Sequence, residues 1–373
     1  MFTKRHIGDI TIIISIFLLT AIALYGYYDF FTPEKLEFVY RNWDGPGYMV
    51  VAKTLYDVDL INKINPFPFL APTHYSYQFP LYPVFIRLFS FIGYKESMIV
   101  VSQVFSLLFS IALYFLVKQV NPKANALVVA ILSLFYTPRW FIVNHVGSTE
   151  PQFLFFITLF MLFFLQKNFL LSAVAASLTQ LTKPQGIVFF AGITLYYLLR
   201  VGMRKMTLHQ GVREFLPYLL IPLALAAVFT LYYFRYGDFF VFMKNEAFPT
   251  MQWPPLKVLV ATKIYGTPVD LFTGWKEIIV YTYIIYFIPI VMLFEKKLYF
   301  FSLVALVYFL PVLLFVQTDM PRFILPIMPF AFLAYSDMLS KKAVHTALFL
   351  CLPMVFFYAI GYINYNLAPL PFQ

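Results

Sequence analysis

Asp44 is the carboxylate whose neighbours in the sequence best suit a reactive site. It stands in the stretch Trp43-Asp44-Gly45-Pro46-Gly47-Tyr48, within a polar loop of a mostly apolar chain. The glycines around Pro46 allow a sharp turn and a close approach to the backbone, and a positioned carboxylate can accept the proton of an attacking hydroxyl. The alternative is helix capping, because Asp is favoured just before a helix that Gly45-Pro46 could begin. Trp43 and Tyr48 frame this carboxylate and could stack against a ligand.

Glu150 is the second candidate, in the stretch His145-Val-Gly-Ser-Thr-Glu150-Pro-Gln. A carboxylate in the first turn of a helix is favoured by the helix dipole, so capping by Ser148 or Thr149, with Glu150 following, is the structural alternative. The apolar segment that follows is rich in Phe and Leu. An ionisable group that enters such a segment is a functional candidate by default.

Three cations, Lys183, Arg322 and Arg139, are candidates for binding a phosphate. Arg suits phosphate because its planar fork bonds two oxygens at once. Lys183 lies in a break between two short apolar runs, at Thr182-Lys183-Pro184-Gln185-Gly186. For each cation alone, anchoring at the membrane interface is the simpler interpretation. For Arg322, a salt bridge to Asp319 is a further alternative.

A metal site could use only a few residues of this chain. The chain has one cysteine and five histidines, and no His-x-x-His spacing, so a dedicated zinc site is not expected. His74 and His145 are too isolated to form one. Asp44 and Glu150 could instead hold a divalent cation such as Mg²⁺ or Mn²⁺.

The elements that position these residues are membrane helices. Of the 373 residues, 61% are hydrophobic and only 12% are charged, whereas soluble domains are nearer half apolar and a quarter charged. The net charge of +10 comes from basic residues scattered between apolar runs, which indicates membrane topology rather than nucleic-acid binding. About eleven transmembrane helices are predicted, at residues 10–30, 98–117, 124–142, 149–166, 169–182, 185–200, 214–234, 276–294, 298–316, 322–339 and 343–364.

The basic residues of the short loops set the predicted orientation. With the N-terminus in the cytoplasm, these loops hold most of the unbalanced Lys and Arg residues, as the positive-inside rule requires. We therefore predict a multi-pass plasma-membrane protein with a single domain over 1–373 and a retained first span. Two long loops, 31–97 and 235–275, then face outward, together with Asp44, Glu150, Lys183 and Arg322.

Residues 79–93 are the ambiguous segment of the first outer loop. A span here would invert the later topology and place the basic turns outside. Pro80 and Pro83 suit the start of a helix, and Arg87 lies in the middle of the segment. A helix that lies in the outer membrane interface is therefore favoured.

Several of these stretches resemble, in order and spacing, the GT-C superfamily of polytopic glycosyltransferases. The resemblance covers most of residues 1–330 and is nearest to the PIG-V-like family, the GPI mannosyltransferase II type, and its prokaryotic relatives. The matching motifs are Trp43-Asp44-Gly45 with Tyr48, Tyr77-Gln-Phe-Pro-Leu-Tyr-Pro83, Ser148-Thr-Glu150-Pro, Leu181-Thr-Lys-Pro-Gln-Gly186 and Arg322-Phe-Ile-Leu-Pro-Ile-Met-Pro329. Two of them depart from the family pattern, since Thr149 separates Ser148 from Glu150 and the break reads Lys183-Pro-Gln-Gly186.

The resemblance implies an enzyme that transfers a sugar, mannose or another hexose, from a polyprenyl-phosphate donor to a lipid or glycan acceptor at the outer face. The family's first-loop aspartate corresponds to Asp44, which would act as the catalytic base of an inverting displacement, or would bind the acceptor or a metal. Glu150 would orient the sugar or share a cation, and Lys183, Arg322 and Arg139 would bind the donor phosphate. The residues expected to contact sugar or acceptor are Trp43, Tyr48, His74, Gln78 and His145. A transporter or flippase, or a polymerase or ligase, of lipid-linked saccharides is the alternative.

Overall fold

The computed structural model describes residues 4–67, 69–245, 251–263 and 273–371. Across these residues the chain consists of α-helices joined by turns and by short 3-10 helices. The helices up to the end of the first long loop are α1 (Lys4–Phe31), α2 (Glu37–Tyr40), α3 (Gly45–Thr54), α4 (Val58–Ile64) and α5 (Leu81–Leu88).

The helices that follow the first long loop form the main bundle. They are α6 (Tyr94–Val120), α7 (Ala126–Leu132), α8 (Pro138–Val143), α9 (Glu150–Leu165), α10 (Phe169–Thr182), α11 (Gly186–Gly202), α12 (Leu208–Phe215), α13 (Leu220–Tyr236), α14 (Thr273–Glu295), α15 (Tyr299–Val312), α16 (Met320–Phe323), α17 (Met328–Leu339), α18 (Lys342–Leu350) and α19 (Leu352–Tyr365). The 3-10 helices are Pro72–Tyr77, Ser90–Ile92, Leu216–Leu219, Lys257–Leu259 and Leu325–Ile327.

The predicted all-α membrane architecture is confirmed. Six helical segments of the described chain are long and apolar enough to cross a membrane, and α9, α10, α11 and α15 are shorter apolar helices. Each predicted apolar run coincides with one of these segments, except that run 124–142 is divided into α7 and α8. The number of helices that cross the bilayer stays a prediction.

The segment 79–93 is too short to be a span. Helix α5 has 8 residues and is therefore about 12 Å long, against a hydrocarbon core of roughly 30 Å. It exposes Val84 and Leu88 on one side and buries Tyr82 and Ile86 on the other. An amphipathic helix of this length agrees with the interpretation that it lies in the interface.

The first long loop is fixed to the bundle by a cluster of aromatic residues. Tyr56 and Phe79 from the loop pack against Tyr232 of α13, with ring centroids 5.3 and 6.3 Å from it. The Tyr232 hydroxyl donates to the Ser76 carbonyl at 2.7 Å, and the Tyr56 hydroxyl donates to the Gln78 carbonyl at 2.5 Å. These contacts hold the segment that contains Asp44 against the end of the bundle.

The second long loop is only partly described. Of the predicted loop 235–275, residues 246–250 and 264–272 lie outside the described residues. Its middle part crosses the end of α15, where the Gln252 and Leu256 amides donate to the Leu314 and Leu313 carbonyls at 2.8 and 2.7 Å.

Helix α9 lies at the centre of the bundle because it is apolar on all sides. Phe153 and Ile157 are wholly buried there. The helix begins at Glu150 and has 16 residues, so its ends lie at opposite ends of the bundle. At the end far from Glu150, Lys296 pairs with Asp337 at 2.7 Å, and Asn121 donates to the same carboxylate at 2.6 Å.

Candidate active site

Asp44 immediately precedes α3, but its side chain does not cap that helix. The residue occupies the cap position with no side-chain hydrogen bond to the helix amides. Instead, its Oδ2 forms an ion pair with Nη1 of Arg322. The capping alternative considered for Asp44 is therefore wrong, and the carboxylate stands at the surface of a cleft.

Arg322 joins the two candidate carboxylates. Its Nε lies 2.5 Å from Oε1 of Glu150 and its Nη2 lies 3.1 Å from Oε2, while Nη1 contacts Asp44. The short helix α16, with Pro321 in its first turn, carries this side chain into the bundle. The alternative that Arg322 pairs with Asp319 is wrong, because the structure gives Asp319 a different partner.

Glu150 is almost entirely enclosed by polar partners. It is 1% exposed, and Lys183 Nζ lies 2.6 Å from its Oε1. The Ser148 hydroxyl also donates to Oε2. Both oxygens are thus occupied by Arg322, Lys183 and Ser148, which makes Glu150 the common anchor of the two cations.

The turn that carries Lys183 depends on a close backbone approach at Gly186. A Cβ at this position would lie 2.5 Å from both the backbone N and Cα of Gln180. Because these are backbone atoms, no side-chain rotation can remove the clash. Glycine therefore allows the start of α11 to fold against the end of α10. Burial lowers the pKa of Lys183, and the adjacent Glu150 carboxylate opposes that effect.

Replacing Gly186 by Ala should displace the Lys183 turn. We expect a loss of about 1–3 kcal/mol in stability, typical of overpacking, and weaker anion binding at the cleft. Gly202→Ala is the matched control, because Gly202 ends the same helix and a Cβ there meets nothing within 4 Å. Thermal unfolding in detergent measures both variants. Equal stability of the two would contradict the role assigned to Gly186.

Arg139 forms a second charged group beside the first. Its Nη2 pairs with Asp319, and its guanidinium lies over the Tyr362 ring at 4.0 Å from the centroid. The residue is 6% exposed, and its Nε and Nη1 have no hydrogen-bond partner among the residues that the structure describes. Arg139 is thus held by an ion pair and by cation–π contact at one wall of the cleft.

These groups line one cavity of about 450 Å³ at the end of the bundle. Of the predicted site residues, the cavity brings together seven: Trp43, Asp44, Tyr48, Arg139, Glu150, Lys183 and Arg322. The lining residues that the sequence did not indicate as site residues are Tyr77, Thr182, Pro184, Gln185, Tyr308, Gln317, Thr318, Asp319, Phe323, Pro326, Tyr362 and Asn366. The roles of the seven stay predictions.

Three predicted sugar- or acceptor-binding residues are not among the lining residues. His145 is 2% exposed, shares a hydrogen bond of 2.8 Å between Nδ1 and the Phe141 carbonyl, and has a pKa lowered by burial to about 4. Gln78 packs on Gly47, where a Cβ would meet its Nε2 at 2.0 Å. His74 lies in the Pro72–Tyr77 helix, and burial lowers its pKa.

The carboxylates do not offer a ready metal site. Within the described residues, no group of three or more His, Cys, Asp or Glu side chains is placed to hold a metal ion. Both oxygens of Glu150 are bound to cations or to a hydroxyl, and Asp44 is paired with Arg322. A divalent cation would have to compete with these ion pairs for either carboxylate.

Comparisons with known proteins identify the fold. A family model described as dolichyl-phosphate-mannose-protein mannosyltransferase matches residues 77–234. The chain is similar to the crystal structure of ArnT from Cupriavidus metallidurans bound to undecaprenyl phosphate, with 14% identity and a TM-score of 0.54 over 93% of this chain and 64% of ArnT. No curated protein matches the chain in sequence.

A second similarity is to the oligosaccharyltransferase AglB of Archaeoglobus fulgidus. The structure in complex with an inhibitory peptide and a dolichol-phosphate has 12% identity and a TM-score of 0.55, over 98% of this chain and 56% of AglB. The apo form gives the same score and identity over 96% of this chain and 56% of that chain. The chain therefore spans about three fifths of the length of these solved structures, and at these identities the likeness establishes the fold.

The family model and the fold agree on the superfamily that the motifs resemble. The matched description names protein mannosyltransferases, whereas the motifs resembled the PIG-V-like branch most closely, so the branch stays open. Taken with the helical architecture, these similarities show a fold shared with GT-C membrane glycosyltransferases and support the resemblance of the motifs to that superfamily.

Proposed function

We propose that this protein transfers a hexose from a polyprenyl-phosphate donor to the hydroxyl of a lipid or glycan acceptor. The observation that carries the proposal is the cavity that brings the Asp44 carboxylate together with Lys183, Arg322 and Arg139 at one end of an apolar bundle. A carboxylate suits deprotonation of a hydroxyl, and the cations suit a phosphate leaving group. The bundle gives a long lipid chain an apolar surface beside the same cavity.

The proposed reaction is a single inverting displacement. Asp44 accepts the proton of the acceptor hydroxyl, whose oxygen forms the new bond to the anomeric carbon. The bond between that carbon and the phosphate oxygen breaks, and the electron pair leaves with the polyprenyl phosphate. Inversion follows because attack and departure take place on opposite faces of the sugar.

Asp44 is held ready for this role by the Arg322 contact. Within the described part of the chain, Oδ2 is engaged in the ion pair, and we assign Oδ1 to the acceptor. The Arg322 contact holds the carboxylate in place. When the donor phosphate enters, it competes with Asp44 for the same guanidinium, so donor binding loosens the ion pair and leaves the Asp44 carboxylate to the acceptor.

The positive and negative side chains that line the cavity are equal in number, so their charges cancel without a ligand. Lys183 and Arg322 face Asp44 and Glu150, and Arg139 faces Asp319. A phosphate is therefore bound by redistribution of existing ion pairs rather than by a bare cationic patch. Glu150, with both oxygens engaged, positions Lys183 and Arg322 rather than touching the reacting atoms.

The orientation is part of the proposal. Helices α9, α10 and α11 each have one end beside the cavity, at Glu150, Lys183 and Gly186 respectively. Their other ends adjoin the basic turns at Lys167 and Arg204. The positive-inside rule then places those turns in the cytoplasm and the cavity outside. Single cysteines introduced at Lys167 and at Asn366 in a Cys351→Ser background, labelled with a membrane-impermeant maleimide in intact cells, test this assignment.

The function itself is tested with purified protein in lipid nanodiscs. Polyprenyl-phospho-mannose is the first donor to assay, because the family model that matches the chain is described as a dolichyl-phosphate-mannose-protein mannosyltransferase. Other polyprenyl-phospho-hexoses follow. Membrane glycolipids and glycans serve as acceptors. Mass spectrometry should detect a new glycosidic bond and free polyprenyl phosphate. Movement of an unchanged lipid-linked sugar across proteoliposomes would instead support a flippase, and transfer of whole saccharide chains would support a polymerase or ligase.

The pH dependence of kcat/KM for the donor should reflect the loss of the Lys183 charge. Because burial lowers its pKa from the ordinary lysine value of 10.5, Lys183 loses its charge at a lower pH than a free lysine does. We expect kcat/KM for the donor to fall as the pH rises through this lowered pKa, since the neutral amine cannot bind phosphate. Lys183→Arg should move the alkaline decline to higher pH. An identical decline in the two enzymes would assign it to another group.

A further inference from the structure

The segment that follows α19 pairs with the residues just before Asp44. The Trp43 amide donates to the Asn366 carbonyl at 2.9 Å, and the Ala368 amide donates to the Arg41 carbonyl at 2.7 Å. Asn42 and Leu367 face each other as an isolated antiparallel bridge. We name these six residues, 41–43 and 366–368, the C-terminal clamp.

The clamp is enclosed as well as hydrogen-bonded. Ala368 is 1% exposed and Asn42 is 7% exposed, and Nε of Arg41 donates to the Ala368 carbonyl at 3.0 Å. Helix α19 is itself fixed, because the Tyr28 hydroxyl of α1 donates to Oδ1 of Asn364 at 3.1 Å. The clamp therefore joins the loop of Asp44 to a well-anchored part of the bundle.

The same segment reaches the cavity at Asn366. Asn366 lines the cavity together with Tyr362, and within the described chain its side-chain amide makes no hydrogen bond. The six charged side chains that line the cavity are already paired with one another. An amide both donates and accepts, which matches the hydroxyl groups of a sugar or acceptor, whereas it adds no charge for the phosphate.

We propose that residues 366–368 belong to the active site: their backbone fixes the position of Asp44, and the Asn366 amide binds a hydroxyl of the sugar or of the acceptor. The first part rests on the proposed function, in which Asp44 is the reacting carboxylate. Asp44 adjoins Trp43, so a shift of the clamped backbone is transmitted directly to the carboxylate. Misplacement of a reacting group by about 1 Å can lower a rate roughly 100-fold.

A disulfide across the clamp tests the pairing independently of catalysis. The hydrogen bonds flank Asn42 and Leu367 as in a non-hydrogen-bonded pair, with Cα atoms about 4.5 Å apart, which lies within the range that a disulfide spans. In a Cys351→Ser background, which removes the chain's one cysteine, Asn42→Cys with Leu367→Cys should crosslink on mild oxidation. Peptide mass spectrometry detects the link, and the oxidised enzyme should keep at least half of the reduced enzyme's activity. Failure to crosslink, or a tenfold loss of activity on crosslinking, would overturn the clamp.

A proline at position 368 tests the positioning role. Ala368→Pro removes the amide that donates to Arg41, whereas Ala368→Gly keeps it. We expect Ala368→Pro to lower kcat at least tenfold relative to Ala368→Gly, with the donor KM values of the two variants within twofold of each other. Wild-type kcat in the proline variant would contradict the proposal. If the proline variant does not fold, the disulfide experiment still decides.

The role of the Asn366 amide is tested by a separate substitution. Asn366→Ala should raise the KM for the sugar-bearing donor or for the acceptor at least fivefold, while inhibition by polyprenyl phosphate without a sugar stays unchanged. Unchanged KM values for both substrates would remove the amide from the proposal. A wild-type enzyme with no activity on any polyprenyl-phosphate donor would instead refute the proposed function, and the crosslink would still report on the clamp.

Discussion

Replacing Asp44 by Asn should reduce sugar transfer by about two to four orders of magnitude, the usual contribution of a general base. Asparagine keeps the size of the side chain but cannot take up the proton of the acceptor. The same change also removes the ion pair with Arg322, so that guanidinium becomes fully available to the donor phosphate. We therefore expect kcat to fall while the donor KM stays the same or decreases.

Asp238→Asn is the control for this experiment. Asp238 also pairs with a cation, Lys244, at 2.6 Å, but it is not among the residues that line the cavity. It should keep at least half of the wild-type rate. Near-normal transfer by Asp44→Asn would refute the assignment of the base, and an increased donor KM would refute the competition between Asp44 and phosphate for Arg322.

The second large effect is expected from Glu150→Gln, and it is primarily structural. Removing one partner of a buried ion pair costs about 3–5 kcal/mol, because the opposite charge stays buried without compensation. Here one carboxylate, 1% exposed, serves both Lys183 and Arg322. We expect a clearly lower melting temperature in detergent, and kcat/KM reduced at least 100-fold because both cations lose their common anchor.

A double variant separates the two contributions. Lys183→Met combined with Glu150→Gln removes one of the stranded charges, so it should be more stable than the sum of the single changes predicts. Glu295→Gln at the exposed end of α14 should leave stability and activity unchanged. A melting temperature of Glu150→Gln equal to that of the wild type would show that the buried network does not stabilise the fold.

The helices could be predicted from the sequence because membrane helices are long, apolar and separated by basic turns. The apolar runs gave α1, α6 and α14 within a few residues. The run 124–142 was predicted as one helix, whereas the chain breaks between α7 and α8. Pro138, at the start of α8, indicates such a break.

Seven of the residues that line the cavity could be predicted from the sequence, but their pairings could not. Topology placed Asp44, Glu150, Lys183 and Arg322 on one face, and they share one cavity. The sequence could not distinguish a capping aspartate from a paired one, because both precede a helix. Nor could it show that Asp319 binds Arg139 rather than its near neighbour Arg322, since the choice depends on how α8 and α16 pack.

The contacts of the clamp could not be predicted from the pattern of side chains in the sequence. Its contacts are made mainly by backbone atoms of residues 41–43 and 366–368, which any sequence provides. The Asn366 amide was missed for a related reason, because one Asn after a terminal apolar helix is indistinguishable from a turn residue. His145 shows the opposite error: its type suggested a polar contact, whereas burial made it part of the packing.

The short helices beside the cavity have a consequence for the lipid around this protein. Helices α10 and α15 have 14 residues each, about 21 Å, against a hydrocarbon core of roughly 30 Å. Leu170, Leu171 and Leu310 lie exposed on them, so the bilayer meets these helices directly. Local thinning of the membrane is one way in which a bilayer accommodates such a hydrophobic mismatch. The elasticity of the bilayer therefore acts on this site, and under the proposed function acyl-chain length becomes a variable that sets the distance between a lipid-borne phosphate and Lys183.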